Sequence, residues 1–137
     1  MRHSTILIID DNEDEILLTK AVLSRIERNI RTEAAFGGEE GLSLLRSRKP
    51  LPAVILLDLK MPVMDGFEVL RRIRAEESTV HLPVVVVTNS DLDSDRQAAM
   101  DAGAHDFLQK SYDLSRFKND LERVLKRWID SDRKGAM

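Results

Sequence analysis

"ILIIDDNEDE" (residues 6–15) runs four apolar residues, three of them β-branched, straight into two adjacent aspartates. Unbroken apolarity over so short a run reads as a strand buried on both faces, not as the alternation of a half-exposed one. Like charges at the mouth of such a strand need compensation, so Asp10 and Asp11 raise the functional question as soon as the strand is read. Taking 5–9 as the first strand, similar runs recur at 32–36, 53–57, 84–87 and 106–109. Segments with helical spacing lie between and after them, at 13–28, 38–48, 66–76, 92–102 and 114–131. The second strand is the least typical, because Ala34 and Ala35 are poor strand formers. Five successive strand–helix units predict an α/β fold, a doubly wound five-stranded parallel sheet flanked by five helices. Such sheets bind ligands at the carboxyl ends of their strands, near the switch in strand order.

At 137 residues the chain is expected to form one domain over 1–137, with "DSDRKGAM" fraying at its end. Its 42% hydrophobic and 33% charged content is that of a folded protein. A net charge of −3 with both signs mixed along the chain gives phosphate backbones no basic stripe, so nucleic acid is not expected as a direct partner. The absence of cysteine excludes disulfides and thiolate metal sites. No apolar run reaches the roughly 18 residues of a membrane span, and "MRHSTILII" is too short for a signal peptide, so the cytoplasm is the expected location.

The residues that follow the strands supply the chemistry. Asp10 and Asp11 follow the first, Asp58 the third, Thr88 the fourth and Lys110 the fifth. Each has an ordinary reading: an aspartate after a strand is commonly a helix N-cap, and a single lysine is commonly a solvated charge. Their coincidence at one sheet edge favours a site. Converging carboxylates repel one another and call for positive charge; Lys110 gives one, and a hard divalent cation with oxygen ligands supplies the rest. Mg²⁺ fits better than Ca²⁺, since no EF-hand spacing is present. No GxxxxGK[ST] or GxGxxG loop follows a strand, which argues against a P-loop or dinucleotide site. Acidic Asp10 and Asp11 would repel an FMN phosphate, and Lys60 stands where an aspartyl-nucleophile phosphohydrolase needs a second aspartate. His3, His81 and His105 lack metal spacing and read as surface residues.

With "IIDD", "LLDLKMPVMDG", "VVVVTNS" and "DFLQK" in this order, the chain resembles the CheY-like receiver domain of two-component response regulators over nearly its whole length. The resemblance implies a flavodoxin-like fold and a phosphoacceptor role for Asp58. It implies that Mg²⁺ is held by Asp10, Asp11, Asp58 and the backbone carbonyl of Lys60. Thr88 and Lys110 would contact the phosphoryl oxygens, and Thr88 with Phe107 would form the switch. The module would take its phosphoryl group from a sensor histidine kinase and act as a self-modifying signalling domain, not a conventional enzyme. Ser111 stands where receivers usually carry proline, so the next loop is expected to differ from the common form. "LQKSYDL" and the helix ending in "KRW" resemble single-domain regulators paired with cyanobacterial phytochrome and bacteriophytochrome kinases. The alternative reading is a pseudo-receiver that scaffolds partners without phosphate.

Three further expectations concern surfaces. Ile16, Leu17 and Leu18 span about 200° of a helix, more than the roughly 100° a core stripe needs, so at least one should face a kinase. The fourth helix carries few large side chains and should be easily displaced. The last helix, with Leu114, Phe117, Leu121, Val124, Leu125, Trp128 and Ile129, is expected to contribute with the fourth helix and fifth strand to a homodimer, Trp128 and Ile129 lying at or near the contact.

Overall fold

The computed structural model describes residues 4–26, 29–47 and 50–135, with side chains through residue 129. The elements are β1 (Ser4–Asp10), α1 (Glu13–Ser24), β2 (Ile30–Phe36), α2 (Gly38–Ser47), β3 (Val54–Leu57), α3 (Gly66–Ala75), β4 (Val84–Thr88), α4 (Asp93–Asp101), β5 (Asp106–Gln109) and α5 (Leu114–Gly135). The five strands form one parallel sheet in the order β2-β1-β3-β4-β5. The predicted class and alternation are therefore those of the molecule.

The apolar runs are buried on both sides because successive side chains point to opposite faces. Leu7 and Ile9 of β1, Ile55 and Leu57 of β3, and Val84 and Val86 of β4 enter the layer under α2, α3 and α4. Their neighbours Ile6, Ile8, Val54, Leu56, Val85 and Val87 enter the layer under α1 and α5. β2 escapes this demand. It is an edge strand paired only with β1, and Ala35 is its one fully buried residue, which explains why a strand so poor in large apolar residues forms there.

Several boundaries and roles differ from expectation. β2 begins two residues earlier than expected, extending the register with β1 from Ser4↔Ile30 to Asp10↔Phe36. α1 stops at Ser24, well short of 28, where the amide of Arg25 turns back to the Val22 and Leu23 carbonyls. Residues 27, 28 and 48 of the expected helices, and His3, lie outside the described residues. Ile129 does not face solvent, as a residue at a contact would: only 3% exposed, it belongs to the core beneath α5 with Phe117, Leu121, Val124 and Leu125. Trp128 is half-buried, edge-on to His105 with ring centroids 4.8 Å apart. His105 is accordingly not a surface residue. Its Nδ1 faces two donors, Arg74 Nη2 at 2.8 Å and Val84 N at 3.2 Å. Burial and the adjacent guanidinium push its pKa down.

Candidate functional site

The chain moves from β1 outward to β2, then crosses β1 to reach β3. This reversal leaves a crevice at the carboxyl ends of β1 and β3, where the fold rule places a ligand. Asp11, Asn12, Glu15, Asp58, Lys60, Thr88 and Asn89 line it.

Asp10, the last residue of β1, is buried and fully engaged. Its Oδ1 accepts from Asn12 N at 3.0 Å and its Oδ2 from Lys110 Nζ at 2.9 Å. Asp58 follows β3 and is 6% exposed. One weak bond, from Lys60 N to Oδ1 at 3.4 Å, supports it. Gly66 keeps this loop close. A Cβ at Gly66 would lie 2.3 Å from the Asp58 carbonyl oxygen and 2.7 Å from Leu59 Cα, so the glycine serves close approach of α3 to the Asp58 backbone.

Burial pushes the Asp58 pKa up to about 6; Lys110 pulls against that shift, and the neighbouring Asp10 and Glu15 charges add to it. Lys110 shows the opposite balance. Burial alone would lower its pKa, but the bonds to Glu15 and Asp10 and the charges of Asp58 and Asp10 outweigh it, and the pKa rises. This ammonium is the counter-charge of the cluster, bonded to Asp10 and, at 2.7 Å, to Glu15 Oε2.

The structure brings Asp10, Asp58 and Lys110 together as expected and places Thr88, fully buried, at the crevice. Asp11 lines the crevice from an exposed position, while the mutually close carboxylates are Asp10, Glu15 and Asp58, with oxygens all within 4.8 Å of one another. Sequence reading missed Glu15 because it stands inside the acidic first turn of α1, where glutamate is ordinary. At that distance each like-charged pair costs at least about 3.5 kcal/mol at an effective dielectric of about 20. Three hard oxygen donors converging under such repulsion fit a hard divalent cation.

Phe107 lies half-buried on β5 against the core under α4, with the Arg96 guanidinium 5.9 Å from its ring centroid. After Lys110 the loop is organised by Ser111, whose hydroxyl accepts from Asp113 N at 3.1 Å. α4 has no side-chain cap at Leu92 and buries only Ala99. Its ties to the site are polar: Asp95 accepts from Ser90 Oγ at 2.6 Å and pairs with Lys60 Nζ at 3.3 Å.

A family model for the response regulator receiver domain matches residues 6–122. The chain belongs to that family. Response regulator PleD of Caulobacter vibrioides is 34% identical to this receiver over 142 residues, covering 96% of the chain but 30% of PleD, so the chain spans less than a third of that relative. Among solved structures, the phosphorylated cyanobacterial phytochrome response regulator RcpA superposes with a TM-score of 0.85 at 27% identity, covering 95% of this receiver and 96% of RcpA. The receiver domain of the sensor histidine kinase PA1611 from Pseudomonas aeruginosa, crystallised with magnesium in its active-site cleft, gives a TM-score of 0.80 at 28% identity, with 94% and 99% covered.

Proposed function

We propose that residues 1–137 act as one receiver that accepts a phosphoryl group on Asp58 from a sensor histidine kinase in a Mg²⁺-dependent reaction. The observation that carries this reading is a buried carboxylate with little hydrogen bonding of its own, set between two other carboxylates and facing an engaged ammonium. Asp58, Asp10, Asp11 and the Lys60 carbonyl hold the cation in this reading, with Glu15 near enough to join them. Once bound, Mg²⁺ neutralises the transferring group and favours ionised Asp58.

An Asp58 carboxylate oxygen forms the new bond to phosphorus as the bond to the kinase's imidazole nitrogen breaks, and that nitrogen keeps the electron pair. Lys110 supplies charge at the phosphoryl oxygens, and the Thr88 hydroxyl donates to one of them. Thr88 Oγ1 first gives up the weak bond it accepts from Ser90 N at 3.4 Å. The Ser90 segment then moves with α4, whose poor burial makes displacement cheap, and half-buried Phe107 turns inward. The product is a signalling surface, not a released compound. In this reading the receiver works in the cytoplasm beside its kinase. Among the described residues no helix is long and apolar enough to cross a membrane.

Docking of the kinase uses the apolar side chains around the crevice: Leu17 of α1 at 57% exposure, with Val63, Leu92 and Tyr112 on the neighbouring loops. Leu17→Glu is expected to slow transfer from the kinase by about tenfold while leaving small-molecule phosphorylation intact; equal loss of both would count against docking. The likeness to RcpA supports a phytochrome as the kinase. The face formed by α4, β5 and α5 is the output and homodimer surface in this reading, with Trp128 near it and Ile129 excluded.

NMR titration with beryllofluoride and Mg²⁺ tests the function. Shifts around Asp58 that spread through residues 90–105 are expected in wild type, absent in Asp58→Ala, and confined to the crevice in Thr88→Ala. Their absence in wild type would favour a phosphate-independent scaffold.

A further inference from the structure

One carboxylate that is near enough to join the cation's ligands also reaches across the crevice to other partners. Glu15 stands three residues after Asn12, the N-cap of α1, a position from which glutamate commonly turns back to bond the N-cap amide. Here that amide is taken, since Asn12 N donates to Asp10 Oδ1 at 3.0 Å. The Glu15 carboxylate extends across the sheet edge instead. Its Oε1 accepts from Asn89 Nδ2 at 2.7 Å and its Oε2 from Lys110 Nζ at 2.7 Å. One side chain thus joins α1 to the loops that follow β4 and β5.

Lys110 is the group needed at the phosphoryl oxygens, yet its ion pairs are with Asp10 and Glu15 and not with Asp58. We infer that Glu15 is a positioning residue that competes with the phosphoryl group on Asp58 for Lys110, biasing the receiver toward its unphosphorylated state; this rests on Asp58 being the phosphoacceptor. A phosphoryl group brings about −1.5 to −2 charge. It arrives where Glu15 already holds negative charge within 4.8 Å of an Asp58 oxygen. The ammonium's attraction is shared between the two, so whatever Glu15 retains is withheld from the phosphoryl group. Asn89 strengthens the competitor by fixing its second oxygen.

Glu15→Gln tests this, since it keeps the length and an acceptor oxygen but removes the charge. The full chain is phosphorylated with acetyl phosphate, in which an Asp58 oxygen bonds to phosphorus, the bond to the acetate oxygen breaks, and acetate leaves with the electron pair. At saturating Mg²⁺ the variant should react about three- to tenfold faster than wild type. The Mg²⁺ concentration for half-saturation should rise, because the cluster loses a charge, and in the metal-free protein the Lys110 and Asn89 side-chain NMR resonances should shift. In a Lys110→Gln background most of the gain should disappear, leaving only the part due to direct repulsion between Glu15 and the phosphoryl group, whereas a merely structural role for Glu15 would leave the gain unchanged. If Lys110→Gln does not fold, Asn89→Ala serves in its place, with an expected gain of about twofold from releasing the other arm. An unchanged or slower Glu15→Gln at saturating Mg²⁺, an undiminished gain after loss of Lys110, or no gain in Asn89→Ala where that variant is used, overturns the inference. Wild type that is phosphorylated while Glu15→Gln shows no gain defeats this inference alone; wild type with no Asp58-dependent phosphorylation defeats the proposed function and this inference with it.

Discussion

The two ends of the sheet handle buried charge in opposite ways. At the amino ends of β4 and β5, Arg74 donates to the carbonyls of Gly103 at 2.9 Å, Val80 at 3.1 Å and Leu82 at 2.9 Å, and meets His105 Nδ1 at 2.8 Å. One cation there ties α3 to the two loops that precede β4 and β5 and leaves each acceptor satisfied. At the carboxyl ends of β1 and β3, three carboxylates share one ammonium, and Asp58 is pushed up to about 6. The first arrangement stabilises the fold, and the second holds repulsion that an incoming cation can relieve. Stability and reactivity are thus separated along the strand axis.

The largest effect on stability should come from breaking the satisfied end. Arg74→Met strands three carbonyls and removes one of the two donors to His105 Nδ1, and should cost about 2–4 kcal/mol in chemical denaturation. Its folded fraction should still accept phosphate; loss of phosphorylation in protein that remains folded would show that the two ends are coupled.

Asp58→Asn should do the reverse and stabilise the metal-free protein at pH 7 by about 1–3 kcal/mol. Because its folded pKa is raised to about 6 from the usual 3.8, the native state binds this proton more readily than the unfolded chain. The ionised group therefore destabilises above pH 6, and that penalty fades as pH falls toward 4. The stability difference between variant and wild type should shrink over that window, and a constant difference would contradict it.

Smaller still is the backbone of Val63, a fully exposed β-branched residue at φ 68 beside the crevice. Val63→Gly should stabilise by about 0.5–1 kcal/mol, relief of the left-handed conformation being partly offset by the freedom glycine gains when unfolded. Destabilisation would show that this strain is not real.

The contrast also explains what could be read from sequence. The fold was legible because burial on both faces forces unbroken apolar runs in β1, β3 and β4. Asp10, Asp58, Thr88 and Lys110 were legible because each ends or follows a strand, so topology alone collects them. Glu15 was not, since its direction depends on whether Asp10 or Glu15 takes the Asn12 amide, a competition between side chains that spacing does not record. Neither was the Arg74 cluster, because its partners are mostly backbone carbonyls, which leave no mark on the sequence. The burial of Ile129 was hidden by an α5 stripe with more apolar positions than a sheet contact needs.

Whether Asp58 is the phosphoacceptor is decided by intact-protein mass spectrometry after incubation with acetyl phosphate, run on wild type and Asp58→Ala with Mg²⁺ and with chelator. The account predicts a mass gain of one phosphoryl group in wild type with Mg²⁺ and in none of the other three samples. No gain in any sample, or an equal gain in Asp58→Ala, would contradict it.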